Sequence, residues 1–493
     1  SSRPLVTDAA VVVEADRIIE VGEQSKLCKK YPDASPLGSN DYAIVPGFVN
    51  AHHHSHGTTT IQHGISDLLL EPWILSFLGM RPSDTYLNTL VSTARQLKSG
   101  VTSVVDVHSG RGAGDYEESV DAALRAYEES GMRVAFTTGI STQSALVHGK
   151  DQDLAFIDTL PSDLREPAMA LVRETEGMSD DDYLDLLEEK VLKFRDHPLI
   201  DVWFGPPGPQ WVSDELMVRI GQRAQMLDVG IQTHCNESVY EKLHSHMFYG
   251  RSTIEHLEQL GVLSPRFSIA HGVWLSEREI AVLADTGAPV SHNPSSNLRL
   301  RSGIAPLNAL LEAGVTVGLG MDGTTINEDE DMFNELRLAL RLQRTPKLGA
   351  PAPSVSQLFH MATQGGAQVM RKESQIGRIA PGYKADLVVL DLSAVTWPWV
   401  APEVDPVELI FLQAKRGDVV TVLVNGEIVL DDGMPTRFDL NEVGAELSRS
   451  LCATPFPAEG AALAAKLAPF LEAWYQAWEN PEHSPYICYN SRL

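Results

Sequence analysis

Along the middle of the chain, short continuous apolar runs alternate with helix-length amphipathic stretches. The runs are AIVPGFVNAH (43–52), VTSVVDVH (101–108), RVAFTTGIS (133–141), LIDVWFGP (199–206), VGIQTHC (229–235), RFSIAHG (266–272), APVSHN (288–293) and VTVGLGMDG (315–323). Their apolarity is unbroken, which suits parallel strands covered on both faces. The stretches between them include 84–98, 116–130, 181–195, 214–227 and 329–343, with apolar residues at spacings of three and four. Eight β–α units in series predict an α/β fold, a (β/α)8 TIM barrel.

The ends of the chain read differently. AAVVVEADRIIEVG (9–22) predicts two short strands with a turn near Glu14–Asp16, and the pattern returns in ADLVVLDL (385–392) and VVTVLVNGEIVLDDG (419–433). Asn425-Gly426 is a hairpin turn signal, because both positions tolerate positive φ. Segments at opposite ends can pair into one small sheet domain. We therefore expect a β-sandwich from residues 1–45 and 376–440, the barrel over 46–375, and a helical extension over 441–493 whose main helix runs through AEGAALAAKLAPFLEAWYQAW. That extension reads as packing or subunit contact. Two connections, 55–83 and 142–180, are overlong and suit either lids or oligomer contacts.

Composition bounds the partners. The 493 residues are 43% hydrophobic and 21% charged, ordinary for a globular protein. The net charge of −27 is spread along the chain, which excludes the concentrated basic surface that nucleic acid requires. The four cysteines, Cys28, Cys235, Cys452 and Cys488, show no CxxC spacing and predict neither a disulfide framework nor a cysteine zinc site. No apolar run approaches the ~20 residues of a membrane span. With no signal peptide expected, a cytoplasmic setting follows.

The polar residues gather at the C-terminal ends of the expected strands, where barrel enzymes build their sites. The first ends in Asn50-Ala51-His52-His53-His54-Ser55-His56. Residues two apart on a strand point the same way, so His52 and His54 can share the barrel axis while His53 faces outward. Two such imidazoles form a half-site for zinc or iron. The fifth strand ends in Thr233-His234-Cys235-Asn236-Glu237, offering a third nitrogen and a carboxyl able to lean back as a proton carrier. His271 and Asp322 close the sixth and eighth strands, each a ligand or an acid–base group. The run Glu328 to Asp331 reads as the first turn of a helix, where carboxylates offset the dipole.

These stretches resemble the amidohydrolase superfamily, in the branch of cytosine, guanine, 8-oxoguanine and S-adenosylhomocysteine deaminases and the triazine hydrolases. The resemblance covers roughly residues 9–435 and rests on PGFVNAHHH (46–54), HCNE (234–237), IAHGVWLSEREI (269–280), SHNPSSNLRLRSGIAPL (291–307), GLGMDGTTINEDEDMFNELRLA (318–339) and GRIAPGYKADLVVLD (377–391). It implies that His52, His54, His234 and Asp322 bind one divalent metal, zinc ahead of iron. Glu237 would shuttle protons, His271 would contact the attacking water or the substrate, and Asp322 would orient that water. Binuclear relatives carry a carbamylated lysine on the fourth strand; LIDVWFGPPGPQW (199–211) has none, which favours a single ion. A bound ion lowers the pKa of water from about 15.7 to about 7. Attack on an amidine-like carbon, with a proton delivered to the ring nitrogen, would expel ammonia.

The resemblance thus implies a metal-dependent aminohydrolase of a small N-heterocycle such as a purine, pterin, pyrimidine or triazine, and relatives of this branch commonly form homo-oligomers. The same apparatus would also expel chloride, an alkylamine or an amide, and a catalytically silent scaffold is the reading from another class. By position, Gln62, Trp73, Gln210, Trp211, His292 and Asn293 are candidate substrate contacts. His53, His56, His63, His108, His244 and His246 are assigned to structure or surface.

Overall fold

The computed structural model describes residues 5–109, 116–174, 178–323, 329–344 and 347–479. Strands β1 (Ala9–Glu14) and β2 (Arg17–Glu23) form an antiparallel hairpin, and β3 (Tyr42–Pro46) follows. The barrel strands are β4 (Phe48–His53), β5 (Val101–His108), β6 (Arg133–Thr138), β7 (Ile200–Phe204), β8 (Ile231–Cys235), β9 (Phe267–His271), β10 (Val290–His292) and β11 (Val317–Leu319). Beyond them come β12 (Leu387–Asp391), β13 (Val419–Val424), β14 (Glu427–Asp431) and β15 (Met434–Pro435).

Strands β4 to β11 make one parallel sheet of eight in chain order. Its two ends are joined where Asp322 N–H donates to the His52 carbonyl at 2.9 Å and Met321 N–H to Asn50 Oδ1 at 3.0 Å. The amphipathic stretches form helices as expected, among them Thr85–Leu97, Tyr116–Ser130, Asp180–Phe194, Asp214–Leu227 and Met332–Leu342. Alternation along each strand separates two cores. Phe48, Val104, Val134, Phe136, Val202 and Phe204 face the helices, whereas Val49, Ala51, Val105, Ala135 and Trp203 pack with one another inside the barrel.

The run 43–52 divides at Gly47. Residues before it pair with β12 in the five-stranded antiparallel sheet, and residues after it begin the barrel. A Cβ at Gly47 would run into Thr102, so only glycine lets the chain pass this close from one sheet to the other. The pairing of chain ends is therefore made by β3. The hairpin β1–β2 stays a separate sheet because β12 already has β3 and β13 on its two edges. It docks through the Arg17–Lys384 bridge and a small core of Ile18, Ala385, Leu387 and Leu423. Asn425 and Gly426 take φ of 53° and 83° at the turn between β13 and β14, as their dipeptide predicts.

Excursion 142–180, whose polar pattern hides its periodicity, contains helices Gln152–Thr159 and Ser162–Glu174. They share a second apolar core with the C-terminal helix Ala458–Gln476, through Phe156, Ile157, Leu164, Leu467, Leu471 and Tyr475. The extension thus packs within its own chain. Among the described residues, no helix is long and apolar enough to cross a membrane.

Sandwich and barrel are joined by a buried ion pair. Arg133 at the start of β6 donates through Nε and Nη2 to Asp386 at 3.0 Å each, and Asp386 also accepts from Asn425 N–H at 2.7 Å. Removing one partner leaves a buried charge unmatched, which costs more than the pair contributes. Arg133→Met should lower unfolding free energy by about 3–5 kcal/mol, measured by urea denaturation. A loss below about 1 kcal/mol, the scale of a surface pair, would refute this role.

Candidate active site

Three strand ends deliver the four expected donors to one point, and a fourth adds His271. The pairing of β4 with β5 shifts between Asn50 and His53, a bulge that re-aims the strand end. His52 Nε2 and His54 Nε2 lie 3.2 and 3.3 Å from Asp322 Oδ1, and His54 Nε2 lies 3.1 Å from His234 Nε2. His53 turns away, accepting from Ser55 N–H at 3.0 Å, with Nε2 3.4 Å from Glu330 Oε1. Beside the four donors, His271 Nε2 stands 3.6 Å from Asp322 Oδ2 and 3.7 Å from Glu237 Oε2. Asn236, His271 and Asp322 have φ of 53°, 76° and 65°. Left-handed backbone at non-glycine residues is strained, and here it recurs at three strand ends carrying polar groups inward.

Each imidazole has its far nitrogen committed. His52 Nδ1 donates to Gln232 Oε1 at 2.8 Å, His54 Nδ1 to Val107 O at 2.7 Å, and His234 Nδ1 to Pro207 O at 2.7 Å. His271 Nδ1 donates to Asn297 Oδ1 at 2.9 Å. Gln232 is itself fixed, its Nε2 donating to Ala51 O and Ser268 Oγ. With Nδ1 protonated, every Nε2 presents a lone pair toward the others. Four lone pairs and a carboxylate cannot satisfy one another. Indeed His52 Nε2, His271 Nε2 and Asp322 Oδ1 are buried without a hydrogen-bond partner among the described residues. Such a set fits a divalent cation, which three nitrogens and one carboxylate oxygen suit.

The electrostatics agree. Burial holds the His52 and His234 imidazoles below their ordinary range, His234 far below it. Burial also brings His271 down to about 4. Burial alone would raise Asp322, yet His271, His52 and His54 outweigh it and hold its carboxyl well below the usual range. At His54, the bond and charge of Asp322 overcome burial and raise the pKa. Glu237 goes the other way. Burial, then the charges of Asp322, Glu241 and Glu71, push it well above a carboxyl's ordinary value.

The candidate substrate contacts divide. Gln210 is buried with Oε1 unpartnered among the described residues, and Trp211 sets its ring 5.5 Å from that of His148. Both follow Pro207, the acceptor for His234. His292 is buried beside His271 with neither ring nitrogen bonded among the described residues, while Asn293 Nδ2 lies 3.4 Å from His271 Nδ1. Gln62 and Trp73 are engaged in local contacts. Gln62 is exposed and spends Oε1 on a capping box with Thr59, and Trp73 packs against Phe77 at 4.5 Å among Ile65, Leu70 and Leu300. The acidic run is not a first helical turn: the helix begins at Met332 with Asp331 as its cap, Glu330 is buried against His53 with φ of 43°, and Glu328 lies outside the described residues.

Sequence reasoning missed the residues that hold these groups. Gln232 is two positions before His234, so strand alternation alone puts it on the same face. Ser296, which donates to Asp322 Oδ2 at 2.5 Å, and Asn297 lie within the SHNPSSN stretch on the short helix Pro294–Arg299, and their polarity just after a strand end was the available signal.

A parallel barrel closed by an aspartate and carrying a histidine-rich donor set at its C-terminal rim defines a class of metal-dependent hydrolases. Residues 43–429 match the amidohydrolase family, and the chain belongs to that family, whose members use a divalent metal. The 5′-deoxyadenosine deaminase of Methanopyrus kandleri is 30% identical over 450 residues, 89% of this chain and 93% of that protein. The 5-methylthioadenosine/S-adenosylhomocysteine deaminase of Desulfitobacterium hafniense is 30% identical over 448 residues, 90% and 93% of the two chains. Among solved structures, a zinc-bound adenosine deaminase from Xanthomonas campestris superposes with a TM-score of 0.75 at 27% identity, covering 90% of this chain and 93% of that one.

Gln232 offers a test of the donor geometry. Gln232→Leu removes the acceptor that fixes the His52 tautomer, and zinc affinity should fall about 10- to 100-fold in a chelator competition titration. An unchanged affinity would contradict the assigned tautomer lock.

Proposed function

We propose that the protein is a hydrolytic deaminase of an adenosine-type purine nucleoside. His52, His54, His234 and Asp322 would hold one zinc ion, with Glu237 and His271 completing the machinery. The observation that carries this reading is the buried Glu237 carboxyl, 3.7 Å from His271 Nε2 and clustered with His271 and Asp322 at the edge of the metal donor set. The named deaminase relatives support the purine. The chain's match to the zinc-bound adenosine deaminase supports zinc over iron.

The bound ion would supply Lewis acidity and a water acidified to near neutral pH. The protein's own residues do the rest. His271, with its Nδ1 proton given to Asn297, offers a lone pair at Nε2 to the attacking water. As the water oxygen bonds to the amino-bearing carbon, Glu237 gives its proton to the adjacent ring nitrogen, so charge does not accumulate on the ring. Asp322, held by Ser296, keeps the proton lost by the water and returns it to the amino group. The carbon–nitrogen bond then breaks, ammonia leaves, and Glu237 recovers its proton as the carbonyl product forms. Burial of all three groups keeps bulk water from competing for these protons. Gln210, Trp211, His292 and Asn293 are the candidates for holding the purine.

The free thiols Cys28, Cys235 and Cys452 support a cytoplasmic setting. The 80% and 75% exposure of Trp397 and Trp399 supports a homo-oligomer, to be checked by light scattering.

Two measurements test the function. A screen of adenosine, 5′-deoxyadenosine, methylthioadenosine, guanine and chlorinated or amide-bearing rings should release ammonia from the adenine nucleosides; chloride release alone would overturn the reading. Glu237→Gln should retain zinc and lower kcat by roughly 10²- to 10⁴-fold. Near-parental turnover would refute its role as proton donor.

A further inference from the structure

Glu237 is gripped from both sides by carboxylates that touch none of the four metal donors. On one side Glu241 accepts the Asn236 and Glu237 amide protons at 2.6 and 2.8 Å, and Glu279 accepts from Asn236 Nδ2 at 2.7 Å. On the other, Ser238 Oγ donates to Glu71 Oε1 at 2.5 Å while accepting from Glu241 N–H at 3.2 Å as the cap of helix Val239–His244. Glu71 lies on helix Leu70–Ser76, within the long excursion after β4. The same oxygen is 3.2 Å from His148 Nε2, in the long excursion after β6. His148 N–H in turn donates to Tyr475 Oη at 2.9 Å, on the C-terminal helix. Glu71, His148, Ser238 and Tyr475 are all buried.

Three segments that a (β/α)8 barrel does not need therefore converge on the residue after Glu237. The turn they support is strained, with Asn236 at φ 53°, and such backbone persists only where its surroundings over-determine it. Glu241 restrains the amides of that turn, but the direction of the chain beyond Glu237 depends on Ser238 and hence on Glu71. Ser238 and His148 both meet Glu71 at Oε1, while Oε2 is buried without a hydrogen-bond partner among the described residues.

We propose that Glu71, oriented by His148, is a positioning residue for Glu237. The two long excursions and the C-terminal helix then form one clamp that keeps the Glu237 carboxyl over the reacting ring. The proposal rests on the role given to Glu237 above. A carboxyl displaced by about 1 Å can lose on the order of 10²-fold in rate, so the effect should fall on kcat.

The test compares zinc-loaded parent, Glu71→Ala and Glu71→Gln by steady-state kinetics on the ammonia-releasing substrate, zinc content, and hydrogen exchange across residues 236–241. Glu71→Ala should lower kcat about 10- to 100-fold with KM changed by less than about threefold. Exchange at 236–241 should quicken and zinc content should hold. Glu71→Gln keeps an acceptor for Ser238 and should recover most of both kcat and protection. Unchanged exchange in Glu71→Ala, loss of zinc, or a rise in KM at constant kcat would overturn the proposal, the last by assigning Glu71 to substrate binding. A parent that releases ammonia from no aminated ring would overturn the functional reading instead, and the exchange measurement would still decide the clamp.

Discussion

Asp322 is a carboxylate sealed inside the protein among imidazoles, and the rest of the rim is organised around that constraint. Removing a carboxylate from water is expensive unless charge and hydrogen bonds replace the lost hydration. Ser296 supplies one hydrogen bond, at 2.5 Å. The remaining demand is for positive charge, and burial holds the imidazoles His52, His234 and His271 below their ordinary range. A divalent cation between the carboxylate and the three donor nitrogens resolves all of these demands together. The tautomer-setting acceptors Gln232, Val107 O and Pro207 O have meaning only in that arrangement, because they turn every Nε2 lone pair to the same point.

The same constraint ties site to fold. Asp322 N–H also closes the barrel on the His52 carbonyl, so the last of the four donors arrives as the ring of strands completes. Its left-handed backbone, with those of Asn236 and His271, is affordable because the strands beneath are packed on both faces. Around this rigid rim the chain adds a layer of carboxylates, Glu71, Glu241 and Glu279, that grip the Glu237 turn.

What the sequence revealed follows from where each residue sits. His52, His54, His234, His271 and Asp322 stand at the ends of apolar runs, and a polar residue ending a buried strand is visible without any structure. Gln232 obeyed the same alternation but drew no notice, since an amide inside a strand suggests nothing chemical by itself. Gln62 and Trp73 were read by their place in a long loop, where no period says which way a side chain points; one became a cap and the other core. Glu71 and His148 were illegible for the same reason, because their meeting depends on two excursions folding against a helix more than 300 residues further along, at Tyr475. The hairpin β1–β2 was legible as a hairpin, whereas its exclusion from the five-stranded sheet depends on competition for the edges of β12.

The central claim is that one metal ion at His52, His54, His234 and Asp322 makes this barrel a hydrolase. Its most direct test is to strip the protein with a chelator and titrate zinc back while following ammonia release from 5′-deoxyadenosine. Activity should vanish in the stripped protein and return linearly, saturating at one zinc per chain. Activity indifferent to chelation, or a plateau at two equivalents, would contradict the account.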